Sequence, residues 1–157
     1  IEEKFEEDAE TALAIYPAKD EEQMLDSSKR LLGDSLFGAP SYYAARAMAD
    51  RGEDIYFYHF NQKPAGKAGE ILGAFHASEI AYVFGVGGLG PIEDPELSRI
   101  MLAYWTNFSK IGNPNGDDIP DWETMKLNKD TWHLLGPKIG QENISRMDIY
   151  NLLRRIS

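Results

Sequence analysis

Ile55-Tyr56-Phe57-Tyr58-His59-Phe60 is the stretch that sets the fold class. Apart from one histidine it is aromatic or β-branched, the chemistry that favours a strand. The run is nearly continuously apolar, without polar alternation, which suits a strand covered on both faces, as in an α/β sheet. Its shortness argues against a buried helix.

The chain ahead of this strand reads as helices. Phe5, Ala9, Ala12, Leu13 and Tyr16 recur at helical spacing and stop at Pro17. Asp20 can cap a second helix, with Gln23 at capping-box distance, Met24, Leu25, Leu31 and Leu32 on its apolar side, and Gly33 as its end. Pro40 can open a third helix carrying Tyr42, Tyr43, Ala45, Ala47 and Met48 and ending by Gly52.

Beyond the strand, residues 61–73 are rich in Gly, Lys, Pro and Ala and read as a loop that delivers Phe75 and His76 to a short helix from Ser78 to Phe84. Gly85 to Pro91 reads as another loop. A long amphipathic helix follows Pro95, with Leu97, Ile100, Met101, Tyr104, Trp105 and Phe108 on one side and Gly112 at its end. Asn113 to Trp122 is turn-rich, and Thr131-Trp132-His133-Leu134-Leu135 reads as a short strand closed by Gly136-Pro137. Met147 to Ile156 is a final helix with Ile149, Leu152, Leu153 and Ile156 inward and Arg154 and Arg155 near its C-terminus. So few strands make a poor independent sheet, so the sheet is expected to continue in chain outside this sequence.

Composition sets bounds. The 157 residues, 43% hydrophobic and 11% aromatic, suffice for one core. The net charge of -10 repels phosphate backbones and argues against nucleic-acid binding. Without cysteine there are no disulfides, thiolate ligands or cysteine nucleophile, and a reducing, bacterial cytoplasmic setting is mildly favoured. No membrane span or leader peptide is expected. The three histidines are scattered, with no i,i+4 pair, so no metal is expected. Of two Asn-x-Ser patterns, the one at Asn107 sits on the apolar helix and reads as chance.

Two segments carry a resemblance: Gly73-Ala74-Phe75-His76-Ala77-Ser78-Glu79-Ile80-Ala81-Tyr82-Val83-Phe84-Gly85, and the helix end Asn107-Phe108-Ser109-Lys110-Ile111-Gly112-Asn113-Pro114-Asn115. They are similar to the C-terminal third of type-B carboxylesterases, the family of the cholinesterases and para-nitrobenzyl esterases. Gly33-Asp34 with Phe37 and Pro40, the strand at residues 54–60, Trp122 and the strand at 132–135 extend the match over most of the chain after Asp20. The resemblance implies the C-terminal part of a single α/β-hydrolase catalytic domain, with helices packed on the last strands of a mostly parallel sheet. It implies a carboxylic ester hydrolase working through an acyl-serine, with His76 as the general base. The substrate implied is a small-molecule carboxylic ester, and no cofactor is implied. Glu79 then matches an acid that helps organise the site from outside the triad; an equal reading is a first-turn glutamate favoured by the helix dipole.

A serine hydroxyl is a weak nucleophile until a positioned imidazole takes its proton. No Gly-x-Ser-x-Gly elbow occurs here, and Gly87-Gly88 follows the histidine where an oxyanion-hole glycine pair should lie far upstream. The partner implied is therefore the N-terminal part of the same enzyme, holding the serine, the acid and the oxyanion hole. The isolated chain is expected to be inactive.

Two alternatives stand beside this. Gly33-Asp34-Ser35-Leu36 spells the signature of the Gly-Asp-Ser-Leu esterases, and Asp130-Thr131-Trp132-His133 supplies an Asp-x-x-His. Ser35 would be the nucleophile, His133 the base and Asp130 its orienter. Against it, the residues before Ser35 look helical, the further oxyanion blocks are unrecognisable, and His133, like His59, sits in an apolar strand. The other alternative is a non-catalytic interaction fragment whose amphipathic helices pack on a partner chain.

Overall fold

The structure is a computed structural model that describes residues 5–86, 92–127 and 129–155. The chain divides into two compact units, one of Ile1–Glu53 with Ile144–Ser157 and one of Asp54–Asn143.

The first unit is helical. A short 3-10 turn, Glu6–Asp8, leads into α1 (Ala9–Ile15), which buries Ala12 and is flanked by buried Phe5 and Tyr16. In α2 (Glu21–Gly33) the Asp20 carboxylate accepts from Gln23 N at 2.8 Å, as the capping-box spacing predicts. Gly33 ends the α-helix, as the sequence predicts, but does not break the helical run. Its φ of -61° is helical, and the chain runs on through a π-helical turn, Asp34–Gly38, into α3 (Ala39–Ala49). The expected apolar side of α2 is also corrected: Met24, Leu25 and Leu32 are exposed, while Ser27 is buried and donates to the Pro17 carbonyl at 2.7 Å. In α3, Tyr42, Ala45 and Ala49 are buried and Met48 is exposed. The last helix, named α7 in chain order (Met147–Arg155), buries Ile149, Leu152 and Leu153 as its periodicity predicts, and Tyr150 besides. Tyr150 packs on Tyr42 and so closely on Gly38 that a β-carbon there would lie 2.8 Å from its hydroxyl.

The second unit carries the sheet, in the order β1-β2-β3. β1 (Tyr58–Phe60) runs parallel to β2 (Thr131–Leu135), with Tyr58 opposite His133. β3 (Gly140–Asn143), which the sequence reading missed, pairs antiparallel with β2, so the three strands form a mixed sheet. The expected strand from Ile55 is shorter as a ladder, yet its start is already engaged: Met125 N donates to the Ile55 carbonyl and His133 N to the Phe57 carbonyl, both at 2.8 Å. It is half-buried, not covered on both faces. Tyr56, Tyr58 and Phe60 pack on the core, while alternation turns His59 the other way to stack on Trp132 at 4.4 Å.

A helix, α4 (Gly66–Leu72), occupies the region expected to be a plain loop. The short helix α5 (Ile80–Phe84) and the long helix α6 (Pro95–Ile111) form where expected. Asp94 caps α6 by accepting from Leu97 N at 2.9 Å, and Gly112, at φ 71°, ends it. Leu97, Ile100, Met101 and Tyr104 of α6 meet Tyr82, Val83, Trp122 and Leu135 in one core. Each such fully buried apolar side chain contributes roughly 1.5–3 kcal/mol. The loop expected over Gly87 to Pro91 and the inward Ile156 lie outside the described residues.

Candidate active site

The His76 loop is built between two helix ends. Gly73, at φ 65°, closes α4 with its N–H on the Gly69 carbonyl at 3.0 Å. A β-turn follows, Phe75 to Ser78, closed by the Ser78 N–H on the Phe75 carbonyl at 3.0 Å. His76 is the second residue of this turn and is exposed; Phe75 before it is half-buried. Ala77, the third, has φ 69°, the left-handed value that a type II turn demands. The Ile80 N–H then reaches the Ala77 carbonyl at 3.2 Å and α5 begins. Behind the loop, Ser98 of α6 donates its hydroxyl to the Tyr82 carbonyl at 2.8 Å, fastening α5 to the core. The histidine is thus solvent-facing on a turn whose downstream end is anchored.

Glu79 is half-buried beside a shallow depression of about 120 Å³, lined also by Tyr58, Ile80, Val83, Phe84 and Trp105. Burial, and secondarily the Glu79 charge, push the Tyr58 hydroxyl above its ordinary pKa of 10. Tyr58 meets Trp105 edge-on at 5.3 Å. Ile80 and Phe84 are 50% and 68% exposed, so the rim of this depression is open and apolar.

A family model of the carboxylesterases matches residues 2–149. The chain belongs to the carboxylesterase family. It is similar to a medium-chain fatty acyl-CoA hydrolase precursor of the duck Anas platyrhynchos, 39% identical over 121 residues, 73% of this chain and 22% of that protein. The pig liver carboxylesterase is 37% identical over 113 residues, covering 68% of this chain and 19% of its own length. Human carboxylesterase 5A is 36% identical over 132 residues, covering 76% and 23%. The chain therefore spans about a fifth of the length of these relatives. Family membership brings the α/β-hydrolase fold, and the helices around a small mixed sheet are compatible with its C-terminal part.

In this carboxylesterase chain the rival triad finds no support. Ser35 lies in the π-helical turn of a continuous helical run, not after a strand. His133 is fully buried, stacked on Trp122 at 4.9 Å, with Tyr104 edge-on. The Tyr104 hydroxyl donates to the Pro120 carbonyl at 2.6 Å, so the 3.2 Å contact to His133 Nε2 requires the imidazole to donate. Burial drives the His133 pKa down to about 4, an effect the Gln141 side chain only partly offsets. This is a packed, neutral core histidine. Asn107, of the first Asn-x-Ser pattern, is also occupied: its Nδ2 donates to the Pro114 and Asn115 carbonyls at 3.1 and 3.3 Å. Among the described residues no His, Cys, Asp and Glu side chains group as a metal site, and no helix is long and apolar enough to cross a membrane.

The sequence reading missed Tyr58, Trp105 and Ala77 as features of this region. The alternation of the strand could have placed Tyr58 on the side of the helices, and the α6 periodicity placed Trp105 there. Nothing flagged Ala77, because alanine carries no signature for a positive φ.

Proposed function

We propose that this chain is the C-terminal part of a carboxylic ester hydrolase in which His76 is the general base. The intact enzyme forms an acyl-serine: the His76 imidazole takes the proton of a serine hydroxyl as it attacks the ester carbonyl, then returns it to the leaving alcohol. A carboxylate orients the ring through its other nitrogen. Serine, carboxylate and oxyanion hole come from sequence outside these 157 residues, so the chain alone does not turn over ester. The substrate is a small-molecule carboxylic ester, and the chain's partner is the rest of the same enzyme.

The observation that carries this reading is the exposed His76 on an anchored turn beyond the parallel strand, where loops of an open α/β sheet hold functional groups. Family membership supports it.

The test is an activated ester offered to the intact enzyme, to its His76→Gln variant and to the isolated chain. His76→Gln should lower kcat by roughly four orders of magnitude or more. Parent-level turnover by that variant, or vigorous hydrolysis by the isolated chain, would refute the proposal.

A further inference from the structure

We infer that Ala77 is a positioning residue, its left-handed backbone setting the direction in which the His76 side chain leaves the chain. The inference rests on the reading of His76 as the base. Two independent features carry it. The first is conformational. Among the described residues only Ala77 and Asp118 hold a positive φ without being glycine. An aspartate tolerates that region because its short polar side chain bonds locally. Alanine has no such compensation, and the conformation costs it roughly 1–2 kcal/mol.

The second is the bonding on either side. The Ser78 N–H closes the turn onto Phe75 across His76 and Ala77. The Ala77 carbonyl then accepts the Ile80 N–H at the mouth of α5. With α5 fastened through Ser98, Ala77 cannot relax to a negative φ without breaking the turn or shifting the helix. His76 sits at the corner so fixed. Strain of this kind persists only where its surroundings over-determine it. Rotating Ala77 to an ordinary conformation would swing the preceding Cα–Cβ vector, and a misplacement of about 1 Å at a catalytic group can lower a rate by ~100-fold.

The test uses the intact enzyme with three substitutions. Glycine reaches positive φ freely, so Ala77→Gly should keep kcat and KM within about twofold of the parent. Valine is β-branched and resists this φ, so Ala77→Val should lower kcat by ~10- to 100-fold with KM nearly unchanged. It should also slow phosphonylation of the serine by a small organophosphate, a reaction that needs the base but not the ester-binding contacts. If the valine protein does not fold, Ala77→Leu, unbranched at Cβ, should show the same split with a smaller loss. His76→Gln is the control for the underlying reading. If it silences the enzyme while Ala77→Val, or Ala77→Leu in its place, retains parent kcat, the positioning role is refuted and the base assignment stands. If Ala77→Gly loses as much as Ala77→Val, the methyl group matters and the backbone does not, which also overturns the inference. If His76→Gln is fully active, the base assignment itself has failed.

Discussion

Arg146 reaches back 112 positions to lay its guanidinium along Asp34, with Nε 2.8 Å from Oδ1 and a terminal nitrogen on Oδ2. Tyr16 donates its hydroxyl to the same carboxylate at 2.8 Å. Three separate segments of the first unit thus converge on one buried charge. Asp34→Ala strands the largely buried arginine and should destabilise the protein by about 3 kcal/mol. A shift in the urea midpoint, at unchanged slope, is the measurement. Asp34→Leu combined with Arg146→Met should recover much of the loss; a double variant no better than Asp34→Ala argues that the pair is not the source.

His133 makes the fold sensitive to acid. Its pKa falls from the ordinary 6.5 to about 4 in the folded state, so below pH 6.5 the unfolded chain binds a proton that the folded one refuses. Stability drains away as pH drops from 6.5 towards 4, by roughly 3 kcal/mol in all, and this contribution is flat below that. Chemical unfolding of the parent and of His133→Leu at pH 7 and pH 4.5 separates this effect from that of the carboxylates. The parent should lose more stability between the two pH values; equal losses would dismiss the histidine.

Asp94 should matter more than its exposed neighbours. Its carboxylate satisfies the Leu97 N–H at the start of the helix that supplies half of the second unit's buried core cluster. Asp94→Ala should reduce stability by about 1 kcal/mol, and Asp94→Asn by less. Thermal melts ranking the two the other way would count against capping as the cause.

Gly136 follows β2 where that strand leaves β1. A β-carbon there would lie 1.9 Å from Asn61 Oδ1 and 3.0 Å from the Gln62 backbone nitrogen. Gly136→Ala should therefore cost about 1–3 kcal/mol through displaced backbone. Crystals of the variant showing Asn61 and Gln62 unmoved, at parent stability, would contradict the packing described.

Legibility in the sequence tracked how local the physics was. The cap at Asp20, the stop at Gly112 and the strand at residues 131–135 are determined by a few neighbouring residues, and all were readable. Gly33 marks the end of the α-helix but not of the helical run, because a glycine breaks a run only when it turns left-handed, and here the Asp34 charge pair and the helix beyond hold it in line. β3 was hidden because Gly140-Gln141-Glu142-Asn143 lacks an apolar alternation and is selected by backbone pairing with β2. The exposed Met24, Leu25 and Leu32 read as core because periodicity reports a face, not what covers it. The position of His76 was visible in its flanking residues; the left-handed alanine beside it was not.

Asn115 clasps Trp122 in both directions, its Oδ1 accepting from the Trp122 backbone N–H at 2.6 Å and its Nδ2 donating to the Trp122 carbonyl at 3.0 Å. That pair of bonds cinches the stretch after α6 into a buckle and presses the indole over His133. The Asn-Pro-Asn segment that makes this chain so recognisable is thus a fastener, remote in purpose from ester chemistry. A protein that had shed every reacting group would still need to shut its interior in this way, so such a signature vouches for architecture and leaves turnover to be demonstrated.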